Sequence, residues 1–202
     1  MMQCCRCINF DEAMTHSSLP ALSLLVLAGG RATRMNGADK GLALWHGQPL
    51  IAHVIKRLGI SDIVISCNRS FSEYQRYGRV VADRNDAFAG PLAGMAAGLP
   101  LCRHEWVVVV ACDMPCLPTN LQDQLWQARN HDQPLVVAHD GEHLQPLALL
   151  VHQTLAPDIA AAVADGRFAV HQWIKRQPHA IADFNDPDAF RNINTLEELA
   201  SY

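Results

Sequence analysis

The sequence predicts an α/β fold: three layers, with a mostly parallel sheet covered by helices on both faces. Three observations carry this. Short apolar runs, most clearly Trp106-Val107-Val108-Val109-Val110-Ala111, lack the polar alternation of half-exposed strands and so read as strands buried on both faces. Segments with helical spacing alternate with those runs. Several runs also end in glycine or a carboxylate, the pattern of a sheet edge that holds a ligand.

In chain order, Leu24-Leu25-Val26-Leu27-Ala28 is the first strand and runs into Gly29-Gly30. Gly41 to Trp45 is a short apolar piece, and His46-Gly47-Gln48-Pro49 is a turn that leads into a helix. Leu50, Ile51, Val54, Ile55 and Leu58 recur at helical spacing, and Gly59 stops that helix. Asp62–Cys67 and Arg79–Asp83 are strands. Gly90-Pro91-Leu92-Ala93-Gly94 opens a small-residue helix that reaches about Leu101. After the Trp106–Ala111 strand, Pro115 and Pro118 precede a helix through Leu121, Leu125 and Trp126. Leu135–Ala138 and Leu147–Leu150 are strands separated by the polar stretch His139–Pro146. Helices near 155–165 and 169–177, a strand at His179–Phe184 and a helix from Thr195 complete the chain.

A length of 202 residues suits one domain with a substantial core, expected over residues 21–202. Residues 1–20 show no sustained period and are expected to form a flexible N-terminal extension, with Met14 as an alternative start. Half of the residues are apolar and 18% are charged, as in ordinary globular proteins. A net charge of −4 disfavours nucleic acid as a partner. No apolar run approaches the roughly 18 residues of a membrane span, and Asp11 and Glu12 occupy the place of a signal peptide's apolar region. A cytoplasmic protein is expected. There are seven cysteines. Cys4-x-x-Cys7 has zinc-like spacing, but no second pair follows, so reduced thiols are the simpler account.

The chemistry concentrates behind the first strand. Gly29 and Gly30 carry no Cβ to keep a ligand off the backbone, and Arg31, Arg34 and Lys40 supply positive charge beside them. Asp83 and Asp113 arrive at the same sheet edge from two other strands. A carboxylate facing a basic polyphosphate loop suggests a Mg²⁺ bridge at Asp113, since Mg²⁺ takes one or two carboxylates plus phosphate oxygens. The alternatives are a solvated glycine turn and a carboxylate that merely caps the turn at Pro115. Neither a P-loop nor the dinucleotide fingerprint occurs, which weakens an ATPase or a hydride-transfer enzyme. No Ser-His-Asp or Cys-His arrangement is apparent. Cys112 and Cys116 read as a packed and a loop thiol. All four tryptophans, Trp45, Trp106, Trp126 and Trp173, are expected in the core.

Leu27-Ala28-Gly29-Gly30-x-x-x-Arg34-Met35-x-x-x-Asp39-Lys40 resembles the signature of nucleotidyltransferases with a glycosyltransferase-A-like, Rossmann-like fold. More narrowly, it is similar to the molybdenum cofactor guanylyltransferase family. Asn68-Arg69, Asp83, Gly90–Gly94, Cys112–Pro115 and Asn192-Ile193-Asn194-Thr195-Leu196-Glu197-Glu198-Leu199 follow in that family's order, from about residue 22 to 200. The resemblance implies transfer of GMP from GTP to molybdopterin, with release of pyrophosphate and with Mg²⁺ as cofactor. By position, Leu27, Ala28, Gly29 and Gly30 would lie along the nucleotide, and Lys40 would hold its phosphates. Ser66, Asn68, Asp83, Pro91, Leu92 and Gly94 would also bind the nucleotide, with Asp83 lining the nucleoside pocket. Asp113 would bind nucleotide and Mg²⁺, and Asn192 and Asn194 would close the site near the acceptor. Ser66 departs from the family, which often has Asn there; serine reaches less far toward a base. Arg34, Lys40, Asp113 and Asn194 are the expected catalytic set.

No general base is needed, because the acceptor phosphate is already an anion. The implied partners are GTP, molybdopterin, and transiently the proteins that deliver and receive the cofactor, with the chain a monomer. Two other readings stay open: cytidylyl transfer to the same cofactor, and a molybdopterin- or nucleotide-binding carrier. Intact Lys40 and Asp113 argue against a carrier. His139 and His143 bracket Asp140-Gly141-Glu142 in an expected solvated loop, which is favoured over contact with the pterin.

Overall fold

The first strand, β1 (Ser23–Leu27), is buried at all five positions, as its unbroken apolar run predicts. The structure is a computed structural model that describes residues 19–29, 39–83, 90–130, 132–193 and 198. After a single 3₁₀ turn at Lys40–Leu42, β2 (Leu44–Trp45) and β3 (Gln48–Pro49) form a small antiparallel hairpin. His46 and Gly47 turn it with φ of 47° and 77°, the left-handed values that two-residue hairpins require. Then follow α1 (Leu50–Leu58), β4 (Asp62–Ser66), α2 (Phe71–Tyr74), β5 (Arg79–Val81), α3 (Gly90–Gly98) and β6 (Trp106–Ala111). The second half contributes α4 (Leu121–Gln127), β7 (Leu135–His139), β8 (Leu144–His152), α5 (Ala156–Ala164), α6 (Val170–Ile174) and β9 (Ala180–Asp183).

Among the described residues seven strands make one sheet in the order β5-β4-β1-β6-β8-β7-β9. Only β8 runs against the others, antiparallel to both β6 and β7. The alternation of β1 sorts its side chains between two cores. Leu24 and Val26 join Ile51, Val54 and Leu58 of α1 and Leu121 and Leu125 of α4 on one face. Leu25 and Leu27 join Leu92 and Met95 of α3, Ile159 of α5 and Trp173 of α6 on the other. The fold is therefore the three-layer α/β arrangement that the sequence predicts.

Two expectations need correction. The polar stretch 139–146 is not a long loop, because β8 already starts at Leu144 and runs through Pro146. The register explains it. Val137 pairs with Leu149 but Ala138 pairs with Gln145, so Pro146 falls in a bulge where no ladder N–H is needed. Trp173 is buried as expected, but Trp45, Trp106 and Trp126 are only half-buried. Trp106 and Trp126 meet edge to face at 5.9 Å, and the Arg129 guanidinium lies 3.5 Å from the centre of the Trp126 ring. The helix expected from Thr195 falls on residues that are not described, apart from Glu198, and the N-terminal extension with Cys4 and Cys7 lies outside them too. No helix among the described residues is long and apolar enough to cross a membrane.

At the amino ends of the strands, buried Asp62 is held by the Ser23 hydroxyl (2.6 Å), the Arg103 N–H (2.9 Å) and the Arg79 guanidinium (2.6 Å). Burial alone would raise its pKa, but these donors outweigh it and hold the carboxyl below the ordinary value. A depressed native pKa gives stability that is present above the unfolded pKa and lost as pH falls through the native one. Arg79→Met is therefore expected to lower stability at neutral pH, where this contribution is fully present, and to raise the pH of half-unfolding in an acid titration followed by circular dichroism, the difference from the parent chain shrinking at the lowest pH. An unmoved acid midpoint would show that Arg79 does not hold that carboxylate.

Candidate active site

Every strand that runs parallel to β1 ends at one edge, and the backbone carries the ladder slightly past the strand ends. The Ala28 N–H donates to Ser66 O (2.8 Å), the Cys67 N–H to Val81 O (2.9 Å) and the Cys112 N–H to Leu27 O (3.1 Å). These bonds set Gly29, Asn68, Asp83 and Asp113 side by side. Asn68 and Asp83 hold each other twice: the Asn68 amide donates to the Asp83 carboxylate (2.7 Å), and the Asp83 N–H donates to Asn68 Oδ1 (3.1 Å). Gly29 lies over this pair. A Cβ placed there would stand 3.8 Å from Asp83 Oδ2 and 3.9 Å from Asn68 Nδ2.

Across from them sits the 3₁₀ turn that carries Lys40. Asp39, its leading residue, accepts from the Tyr74 hydroxyl (2.5 Å) and pairs with Arg69 (3.4 Å). Tyr74 is fully buried, and its pKa is raised by burial first and then by the neighbouring Cys112 and Asp39. Gly41 is packed against the same hydroxyl and the Cys112 thiol, leaving no room for a larger residue. Lys40 Nζ then reaches the Asp113 carboxylate as an ion pair, partly open to solvent on both sides. The Ile193 N–H donates to Asp113 O (2.9 Å) and ties the closing segment, with Asn192, to the same corner. Cys112 is buried, so its thiol is pushed up well above the ordinary value, and the Asp113 charge adds to that. It is a neutral packing group and not a nucleophile.

Of the residues singled out from the sequence, Leu27, Ala28, Gly29, Lys40, Ser66, Asn68, Asp83, Asp113 and Asn192 gather along this edge. Gly30, Arg31, Arg34 and Asn194 lie outside the described residues. Ser66 is buried beneath α3, where a Cβ on Gly94 would come within 2.8 Å of its hydroxyl. The Leu92 side chain is fully buried in the core, which leaves its backbone for any ligand contact, and neighbouring Pro91 is half-buried. His139 is corrected, since it ends β7 and pairs with Asp183 at 2.9 Å, whereas His143 sits exposed in the tip turn. Sequence reading assigned no role to Tyr74 or Gly41; their importance is a matter of contact and leaves no local pattern.

The edge as built joins a cation, a carboxylate and a paired Asn-Asp wall around a glycine floor. The MobA-like NTP transferase domain family matches residues 24–181, which includes all four of these parts. The chain belongs to this family. The transferase is 43% identical over 201 residues to a protein of Burkholderia vietnamiensis named molybdenum cofactor guanylyltransferase, covering 93% of this chain and 98% of that one. It is 41% identical over 183 residues to a protein of the same name from Aliivibrio fischeri, covering 89% and 94%. Among solved structures it resembles molybdopterin-guanine dinucleotide biosynthesis protein A of Archaeoglobus fulgidus. That match has a TM-score of 0.71 at 21% identity and covers 89% of this chain and 95% of the other, a likeness of fold. The chain is a nucleotidyltransferase, and its relatives' names tie it to synthesis of the molybdenum cofactor.

Proposed function

We propose that the transferase moves GMP from GTP to the phosphate of molybdopterin and releases pyrophosphate. The observation that carries this is the Lys40–Asp113 pair at the sheet edge, in a chain 43% identical to a protein of that name. The nucleotide lies along Leu27–Gly29, with its nucleoside against Asn68 and Asp83 and its phosphates toward Lys40. Gly30, Arg34 and Asn194 are assigned by family position, Arg34 to the phosphates and Asn194 to the acceptor side.

An oxygen of the acceptor phosphate attacks the α-phosphorus, the bond to the β-phosphate breaks, and pyrophosphate departs. The acceptor phosphate is mostly dianionic at pH 7, its second pKa being about 6, so no base need remove a proton. Lys40 opposes the charge that develops on the departing oxygens. Lys40 and Asp113 pair with each other at this edge, and the lysine, 28% exposed, is the member of the pair that can turn toward phosphate oxygens.

Among the described residues no three His, Cys, Asp or Glu side chains come together as a ligand set. One hard carboxylate with room for phosphate oxygens fits Mg²⁺, which seldom takes an all-protein cage. Asp113 would hold the ion, which when bound neutralises phosphate charge. The working protein is proposed to be a cytoplasmic monomer that contacts cofactor-delivering proteins and molybdoenzymes in passing.

Incubation of the chain with molybdopterin, Mg²⁺ and each nucleoside triphosphate, with pyrophosphate measured, tests the reading. Release with GTP is expected. Release with CTP in its place would overturn the base assignment, and release with none would leave a carrier.

A further inference from the structure

The nucleotide half of the sheet edge is occupied by the ends of β1, β4, β5 and β6, and the other half presents a second set of polar groups. Val109 of β6 and Val137 of β7 both pair with Leu149, two strands apart, and past the bulge His139 pairs with Leu144 at the same end of the sheet as Ala111. Two strand spacings are about 10 Å, and Asp113 follows Ala111 by two residues. His139 faces Asp183 across the β7–β9 register, and the two side chains meet at 2.9 Å.

The frame around this pair is rigid. Asp140 is consumed locally: its carboxylate accepts from the Glu142 and His143 N–H groups (2.7 Å each) and from the Gln145 amide (2.5 Å). Gly141, with φ of 109°, is pressed so closely on the loop after β9 that a Cβ would stand 3.1 Å from the Asn185 Cα. The Phe184 N–H donates to His139 O (2.9 Å). The bulge between Val137 and Ala138 lies just before His139, and bulges of this kind re-aim the side chains that follow. Asp183 is 63% exposed and His139 27%, so their pairing adds little to stability.

We infer that His139 and Asp183 bind the far end of the acceptor, its ring system, about two strand spacings along the sheet edge from the place of transfer. The inference rests on the proposed function, since it takes Asp113 as the place of transfer. Its chemistry is specific. Asp183 meets the ring at Nδ1 (2.9 Å) and the Gly141 N–H lies 3.3 Å from the same nitrogen, so Nε2 is the ring atom turned away from both. The Asp183 carboxylate, 63% exposed, offers hydrogen-bond acceptors beside it. Acceptors suit the N–H-rich edge of an aminopyrimidinone ring, as in a pterin, and repel a phosphate or carboxylate.

The test is steady-state transfer by the full chain as His139→Ala, Asp183→Asn and the double variant, with Mg·GTP affinity measured separately by equilibrium dialysis. Each single variant is expected to raise the KM for molybdopterin about tenfold, the worth of one hydrogen bond to a charged or polarised group. The double variant should add little beyond either single one. The kcat at saturating acceptor and the Mg·GTP affinity should stay within about twofold, and His139→Gln, which keeps an acceptor atom, should recover part of the loss. An unchanged acceptor KM overturns the inference, as does an equal loss of nucleotide affinity, which would mark a structural role. If the unaltered chain uses CTP, the base assignment fails and this inference is still decided by the same KM values. If the unaltered chain neither transfers to molybdopterin nor quenches the fluorescence of an added pterin, both fall.

Discussion

Asp113→Ala is expected to lower kcat for pyrophosphate release by at least about 10³-fold, with the fold intact. Removing one preorganised electrostatic group at a reacting phosphate costs about 10²–10³, and this carboxylate is also the proposed seat of the ion. The structural cost is modest because Lys40, the partner of this buried carboxylate, is 28% exposed and keeps contact with solvent when the carboxylate is removed. The backbone bond from the Ile193 N–H to Asp113 O survives the substitution, so the closing segment keeps its anchor. Titrating Mg²⁺ separates the two effects: added ion should not restore the rate. Near-normal turnover in this variant would remove Asp113 from the mechanism and return it to the role of a turn cap.

Gly41→Ala should lower activity by about 10²-fold, the usual consequence of an ångström-scale misplacement of a catalytic group. It should also destabilise the fold by about 1–3 kcal/mol through overpacking. The added methyl would stand 2.5 Å from the Tyr74 hydroxyl and 3.0 Å from the Cys112 sulfur. Neither neighbour can retreat. Tyr74 has no exposed surface and is bonded to Asp39, and Cys112 continues a core strand. The turn itself must lift, and Lys40 moves with it. Combining Gly41→Ala with Tyr74→Phe removes the nearest atom and should recover part of the rate. Thermal melting and steady-state kinetics of the three variants decide the matter, and full activity in Gly41→Ala would show that the turn is not tightly seated.

Much of this was legible in the chain itself. Uniform apolar runs such as Trp106–Ala111 predict strands because a strand buried on both faces has no polar alternation to hide. Gly59 ends α1 with a left-handed φ of 62°, as a glycine after a periodic run suggests. The first strand, the glycines behind it and the two carboxylates at later strand ends mark the edge in the sequence alone. The hairpin formed by β7 and β8 was less legible, because Pro146 reads as a strand breaker and only a register jump makes room for it. His139 is no more legible: a polar residue beside Asp-Gly looks like loop until cross-strand pairing sets it opposite Asp183.

What the sequence by itself determined about this protein is the order of its elements, the three-layer architecture and the identity of the polar groups at the sheet edge. Each depends on local period and on residue type, which a linear chain carries openly. Only the tertiary structure decided how those groups are held. Tyr74 and Asp39 lie 35 positions apart, Lys40 and Asp113 lie 73 apart, and Gly41 is constrained by atoms from both Tyr74 and Cys112. Contacts between side chains so distant in the chain are set by how two packed layers bring strand ends together, and no local pattern encodes that distance.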